Sequence, residues 1–127
     1  MKRFLSILLA TVMVMGVLFA VASCGSKTGE KDLEKVKARG TIIVGMECAY
    51  APYNWAQATS NEYASVRLDN GTYADGYDVQ IAKRIAEALG VKLVIKPIEW
   101  NGLTSALNSR QIDMIIAGMS PTEDRRL

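Results

Sequence analysis

The sequence has no histidine, only two cysteines (Cys24 and Cys48), and no marked excess of either charge, with 15 Lys+Arg against 13 Asp+Glu in 127 residues. The missing histidine excludes imidazole general-base catalysis and histidine metal ligation. Two thiols cannot close a thiolate zinc site, so metal chemistry would rest on carboxylates alone. The length accommodates one modest domain. Without Lys2 and Arg3, which fall in a segment argued below to be removed, 13 basic residues face 13 acidic ones. A chain near neutrality with no basic cluster gives no reason to expect nucleic acid or an anionic surface as partner.

Charge is also missing from Phe4 to Ala22 (FLSILLATVMVMGVLFAVA), directly after Lys2 and Arg3. This pattern reads as a secretory address: the basic pair holds the n-region inside while the apolar run inserts, and Ala22 and Ser23 admit a peptidase. The run approaches the ~20 residues of a membrane span, so an uncleaved anchor is the alternative. Val21-Ala22-Ser23-Cys24 resembles a bacterial lipoprotein box, in which the cysteine is acylated and becomes the new N-terminus; leucine is commoner where Val21 stands. Two acyl chains at Cys24, at roughly 0.8 kcal/mol per buried CH₂, would anchor the protein stably. The expected organisation is a signal peptide over 1–23, a polar tether over 24–31 and a body over 32–127. Cys48, left unpaired, reads as a small buried hydrophobe beside a strand.

Beyond the tether, Asp32 to Arg39 predicts a short helix with Leu33 and Val36 on one face, stopped by Gly40. Thr41 to Met46 (TIIVGM) predicts a strand covered on both faces, because its β-branched run barely alternates. Glu47 to Trp55 (ECAYAPYNW) reads as a loop, and Asp69-Asn70-Gly71 as the turn of a small hairpin between Val66-Arg67-Leu68 and Thr72-Tyr73. Tyr77 to Leu89 has Val79, Ala82, Ile85, Ala86 and Leu89 at helical spacing, with Asp78 as N-cap and Gly90 as stop. A strand over Val91–Ile95, a helix over Gly102–Arg110 capped by Asn101, with Leu103, Ala106 and Leu107 inward, and a strand over Asp113–Ala117 follow. The order β-α-β-α-β implies a parallel sheet, whose ligands sit outside the carboxyl ends of the strands. Those ends are Glu47 to Trp55, Ile98 to Trp100 and Gly118 to Arg125.

The segments ECAYAPYNW, GYDVQIAKRIAEALG and EWNGLTSALNSRQIDMIIAGMSPTEDR, in this order and at these separations, resemble the N-terminal part of the polar amino-acid class of extracytoplasmic solute-binding proteins of ABC importers, bacterial solute-binding protein family 3. The resemblance spans about residues 32–127. It implies an α/β, periplasmic-binding-protein-like fold, here the parallel-sheet first lobe cut before the second. It also implies a non-enzymatic protein that captures a polar amino acid outside the membrane and delivers it to permease subunits, with no cofactor and no metal.

An α-amino acid presents a carboxylate and an ammonium one carbon apart, so its site needs clustered donors beside clustered acceptors. Ala117 to Arg125 offers both, since free N–H groups at a helix starting near Thr122 form an anion site and Arg125 can add a bidentate fork. By resemblance, Arg125 and the Ser120 N–H hold the ligand carboxylate, and the Ser120 hydroxyl and Gly118 carbonyl take its ammonium. The alternative makes Thr122 a helix cap and Arg125 a surface ion pair; Arg126 is the neighbouring candidate, but the family spacing selects Arg125. Tyr50 and Trp100 are placed by the resemblance on opposite sides of the ligand side chain, with Tyr53 and Trp55 structural. Glu47 either meets the far end of a cationic or amide side chain or is solvated, and Asp78 reads as a cap rather than a contact.

Family members are about twice as long and trap their ligand between two lobes. With one wall only, this chain by itself is expected not to bind an amino acid at micromolar concentration. Two other readings on the same fold are an enzyme, either a dehydratase of cyclic acids or a cell-wall lytic enzyme, and the sensor domain of a membrane receptor.

Overall fold

The computed structural model describes residues 28–123. Cys24, Arg125 and Arg126, with the apolar N-terminal run and the helix expected near Thr122, lie outside them or at their very end. All the strands belong to the unit Asp32–Leu127. The elements are α1 (Thr28–Arg39), β1 (Thr41–Met46), β2 (Ala49–Tyr50), β3 (Asn54–Gln57), β4 (Val66–Arg67), β5 (Tyr73–Asp75), α2 (Tyr77–Leu89), β6 (Lys92–Pro97), α3 (Trp100–Asn108) and β7 (Met114–Ile115).

The predicted parallel sheet is present, in the order β6-β1-β7. β1 is its centre: Ile42 pairs with Leu93 and Val44 with Ile95 on one side, and Val44 with Met114 and Gly45 with Ile115 on the other. Alternation along β1 sends Ile42, Val44 and Met46 to one face, where they join Val79, Ala82 and Ala86 of α2 in the core. On the other face Gly45 lies against Ile112 and Leu103 of α3. Val44, Val79 and Leu103 have no exposed surface, and burial of each such side chain contributes roughly 1.5–3 kcal/mol.

α2 has the predicted bounds and ends at Gly90 in the left-handed region, φ 67°, where the Gly90 N–H reaches Ala86 and Glu87 carbonyls. Its capping residue differs from expectation. Gly76 occupies the N-cap with no side-chain cap, which moves Asp78 inside the helix, where it is buried and bonded to Asn54. In α3, Asn101 is not the cap either: the Gly102 N–H closes onto the Glu99 carbonyl, so the helix begins at Trp100 and ends two residues before Arg110. Leu103 and Ala106 are buried as expected, but Leu107 is 36% exposed, not inward. α1 starts at Thr28, inside the expected tether, and buries Val36 while Leu33 stays exposed.

The third strand is shorter than expected. Only Met114 and Ile115 are paired, opposite Val44 and Gly45, although β1 itself runs on to Met46. Asp113 holds its entry. The Asp113 N–H donates to the Ile43 carbonyl at 2.8 Å, and the Asp113 carboxylate accepts from the Ile43 N–H at 2.8 Å and from Arg39.

Between β1 and α2 the chain builds a second, antiparallel sheet in the order β2-β3-β5-β4. The hairpin expected around Asp69-Asn70-Gly71 joins β4 to β5, its turn closed by Leu68–Thr72 and Gly71–Leu68 backbone bonds. The stretch read as a loop at Glu47 to Trp55 is itself partly paired, Ala49 with Trp55 and Tyr50 with Asn54.

Candidate functional site

Three parallel strands bring their carboxyl ends to one edge, and the Ile98 N–H, donating to the Met46 carbonyl at 2.9 Å, holds the exits of β6 and β1 together. Three segments leave from this edge: Glu47 onward after β1, Ile98 to Trp100 after β6, and Ala117 onward after β7. Glu47 is half-buried next to β1, Trp100 opens α3 half-buried against the core, and Ser120 is exposed two residues beyond Gly118.

The first and third segments meet at the aromatic rings of the first. Tyr50 and Tyr53 stack with ring centroids 5.1 Å apart and planes 22° off parallel. Both rings press on Gly118, where a Cβ would stand 3.2 Å from Tyr50 Cε1 and 3.3 Å from Tyr53 Cγ. Gly118 has φ 58°, so the position favours glycine twice over, through its backbone angle and through the lack of room. Tyr50 and Gly118, both expected at the site, are thus brought together. Tyr53, expected to be structural only, is 40% exposed beside Tyr50 at 47% and forms half of the same aromatic face. Trp55 is half-buried in the antiparallel sheet, opposite Ala49 and Asp75. Arg125 and the lipidation residue Cys24 fall outside the described residues.

What holds the tyrosine loop in place had no role in the sequence-based site. Asn54 is fully buried; its Oδ1 accepts the Cys48 N–H at 2.8 Å and its Nδ2 donates to Asp78 Oδ2 at 2.8 Å. The first N–H groups of α2 are used as well: Tyr77 donates to the Pro52 carbonyl at 3.2 Å and Asp78 to the Tyr53 carbonyl at 2.8 Å. These contacts require Gly76 to lie flat against the loop, and a Cβ there would be 2.4 Å from the Tyr53 carbonyl oxygen. The Asp78 of GYD was legible as a helix-start residue, but its partner was not, because a buried amide 24 residues earlier leaves no local pattern.

Burial pushes the Cys48 thiol up to about 11 from its ordinary 9.0, so it stays protonated and a poor nucleophile near neutral pH. Among the described residues no group of three or more His, Cys, Asp or Glu could hold a metal ion. The site is therefore an aromatic face over a glycine turn, with backbone and hydroxyl groups of Gly118 and Ser120 beside it. Such a surface suits the capture of a small polar molecule with an aliphatic or cationic stem.

Known proteins agree with this architecture. The L-cystine-binding protein TcyJ of Escherichia coli is 35% identical over 114 residues, which cover 89% of this chain and 38% of TcyJ. The arginine-bound form of domain 1 from TmArgBP, of T. maritima, superposes with a TM-score of 0.60 at 35% identity, covering 72% of this chain and 64% of that one. The cyclohexadienyl dehydratase of Pseudomonas aeruginosa is 29% identical over 115 residues, covering 91% of this chain and 38% of the enzyme. The chain thus spans under two fifths of the length of these two full-length relatives. The profile of the bacterial extracellular solute-binding proteins, family 3, matches residues 42–127, and the chain belongs to that family, with the fold of its first domain.

Proposed function

We propose that this chain supplies the first lobe of an extracytoplasmic amino-acid-binding protein that serves an ABC permease and is held at the membrane by lipid on Cys24. The observation that carries this reading is the Tyr50–Tyr53 pair pressed on Gly118 at the carboxyl edge of the parallel sheet. In the proposed complex the Ser120 N–H and Arg125 hold the ligand carboxylate, and the Gly118 carbonyl and Ser120 hydroxyl take the ammonium. The Tyr50 and Trp100 rings flank the side chain, whose far end faces Glu47. A carboxylate there favours cationic or amide head groups. The arginine-bound domain 1 from TmArgBP supports the cationic preference. It also supports binding by one lobe alone, against the expectation that a single wall is too open to hold a ligand.

Calorimetric titration of the chain with L-arginine, L-lysine, L-glutamine, L-glutamate and L-leucine tests the proposal. Arginine or lysine is expected to bind with a dissociation constant below about 1 mM, equivalent to about 4 kcal/mol, and tighter than glutamate or leucine. No heat from any polar amino acid, or a preference for glutamate or leucine, would refute it. A second reading, an enzyme on the same fold, is favoured only by the likeness to cyclohexadienyl dehydratase. Turnover of a cyclohexadienyl acid by the chain would establish that reading instead.

A further inference from the structure

The Asn54–Asp78 pair is more elaborate than packing requires. Asn54 has no exposed surface and Asp78 is 4% exposed, and burying an amide and a carboxylate costs free energy unless each is hydrogen-bonded. An apolar pair would fill the same space at less cost. What an apolar pair could not do is direct the loop. Asn54 opens β3, one residue after Tyr53, and its side chain reaches back six residues to the Cys48 N–H. Cys48 has φ 56°, a strained angle for a residue with a side chain. Its N–H is held in that turn by the Asn54 side-chain Oδ1, and the Asn54 side-chain amide is in turn fixed by Asp78 from α2. Tyr50 and Tyr53 lie between the two ends of this span. Asp78 also fixes which way round the amide sits, because a carboxylate accepts from Nδ2 and cannot donate to Oδ1. The polarity runs one way, from a helix residue through Asn54 to the strained turn.

We propose that Asn54 and Asp78 are positioning residues of the ligand site, joining α2 to the turn at Cys48 so that the Tyr50 and Tyr53 rings stand against Gly118. The inference rests on the proposed amino-acid site for its effect on binding, but its effect on the rings is independent of any ligand. Asn54→Asp keeps the acceptor for the Cys48 N–H but replaces the donor to Asp78 with a second carboxylate, which breaks the link to α2. Asp78→Asn, added to Asn54→Asp, restores it with reversed polarity: the new carboxylate at 54 accepts both from the Cys48 N–H and from the new amide at 78.

The test uses the full chain, isotope-labelled and kept in detergent, and reads two signals. The first is the set of nuclear Overhauser contacts between the Tyr50 and Tyr53 rings and the Gly118 α-protons; the second is the L-arginine dissociation constant. In Asn54→Asp the ring contacts to Gly118 should vanish while the β1–β6 contacts persist, and arginine should bind at least tenfold more weakly. The double variant should recover the ring contacts and come within threefold of the original affinity. If Asn54→Asp does not fold, a folded double variant with native ring contacts gives the same support. Persistence of the ring contacts in Asn54→Asp would overturn the inference, as would a folded double variant that lacks them. Should the unmodified chain not bind arginine, the proposed ligand fails while the ring contacts still decide the role of Asn54 and Asp78.

Discussion

Gly76 offers a sharp test of how the tyrosine loop is seated on α2. An alanine there would place its Cβ 2.4 Å from the Tyr53 carbonyl oxygen, 2.7 Å from its carbon and 3.0 Å from Asn54 Cα, at φ 119° and ψ 173°. All three are backbone atoms, so no side chain can swing aside, and loop and helix must separate. The backbone angle alone costs about 1–3 kcal/mol in a residue other than glycine. Separation also strains the Tyr77–Pro52 and Asp78–Tyr53 bonds, each worth roughly 0.5–1.5 kcal/mol net. Together the loss is about 2–6 kcal/mol, a large share of the 5–15 kcal/mol that typically stabilises a domain. Gly90 is the control: it also has positive φ, 67°, but nothing lies within 4 Å of its would-be Cβ, so Gly90→Ala should cost only about 1–2 kcal/mol. Urea unfolding followed by circular dichroism separates them. With a slope of about 1.5 kcal/mol per molar, Gly76→Ala should lower the midpoint by about 1.5–4 M and Gly90→Ala by about 1 M. Equal shifts in the two variants would show that conformational strain acts alone and that the loop does not press on the helix start.

Three further outcomes are expected. The Cys48 thiol, pushed up to about 11 from 9.0 by burial, keeps its proton in the folded chain after the unfolded chain has lost it. Stability should therefore be unaffected below pH 9 and fall by on the order of 1 kcal/mol per pH unit between pH 9 and 11; Cys48→Ala should remove that component, and an unchanged slope in the variant would refute the assignment. Under the proposed function, Arg125→Ala should weaken amino-acid binding by about 2–5 kcal/mol in calorimetry through loss of a bidentate carboxylate contact. Arg126→Ala should leave it nearly intact, and equal losses would take Arg125 out of the site. Fatty-acid labelling in cells should tag the protein, and Cys24→Ala should abolish the tag; persistent labelling would leave an uncleaved anchor as the explanation of the N-terminal run.

Hydrophobic pattern alone determined the parallel sheet, because a β-branched run such as Thr41 to Met46 and a 3.6-residue period such as Tyr77 to Leu89 are local signals set by solvent exclusion from nearby residues. The same holds for the hairpin turn at Asp69-Asn70-Gly71 and for the stop at Gly90, where backbone preference acts over a few residues. The motif segments carried the family, and with it Tyr50 and Gly118 at the carboxyl edge. Tertiary structure decided what those residues meet. Asp78 looked like a cap because acidic residues near a helix start usually serve there, yet Gly76, pressed against Tyr53, moved the cap and turned the carboxylate inward to Asn54. That the Tyr53 ring stacks on Tyr50 follows from the stretch Ala49 to Asn54 folding back on itself as β2 and β3. The third strand pairs with β1 only at Met114 and Ile115, while Asp113 before it is held by the Ile43 backbone and Arg39. Each of these outcomes depends on a contact between segments distant in the chain or on a turn whose angle a remote side chain holds, and neither kind of interaction leaves a periodic trace in the residues themselves.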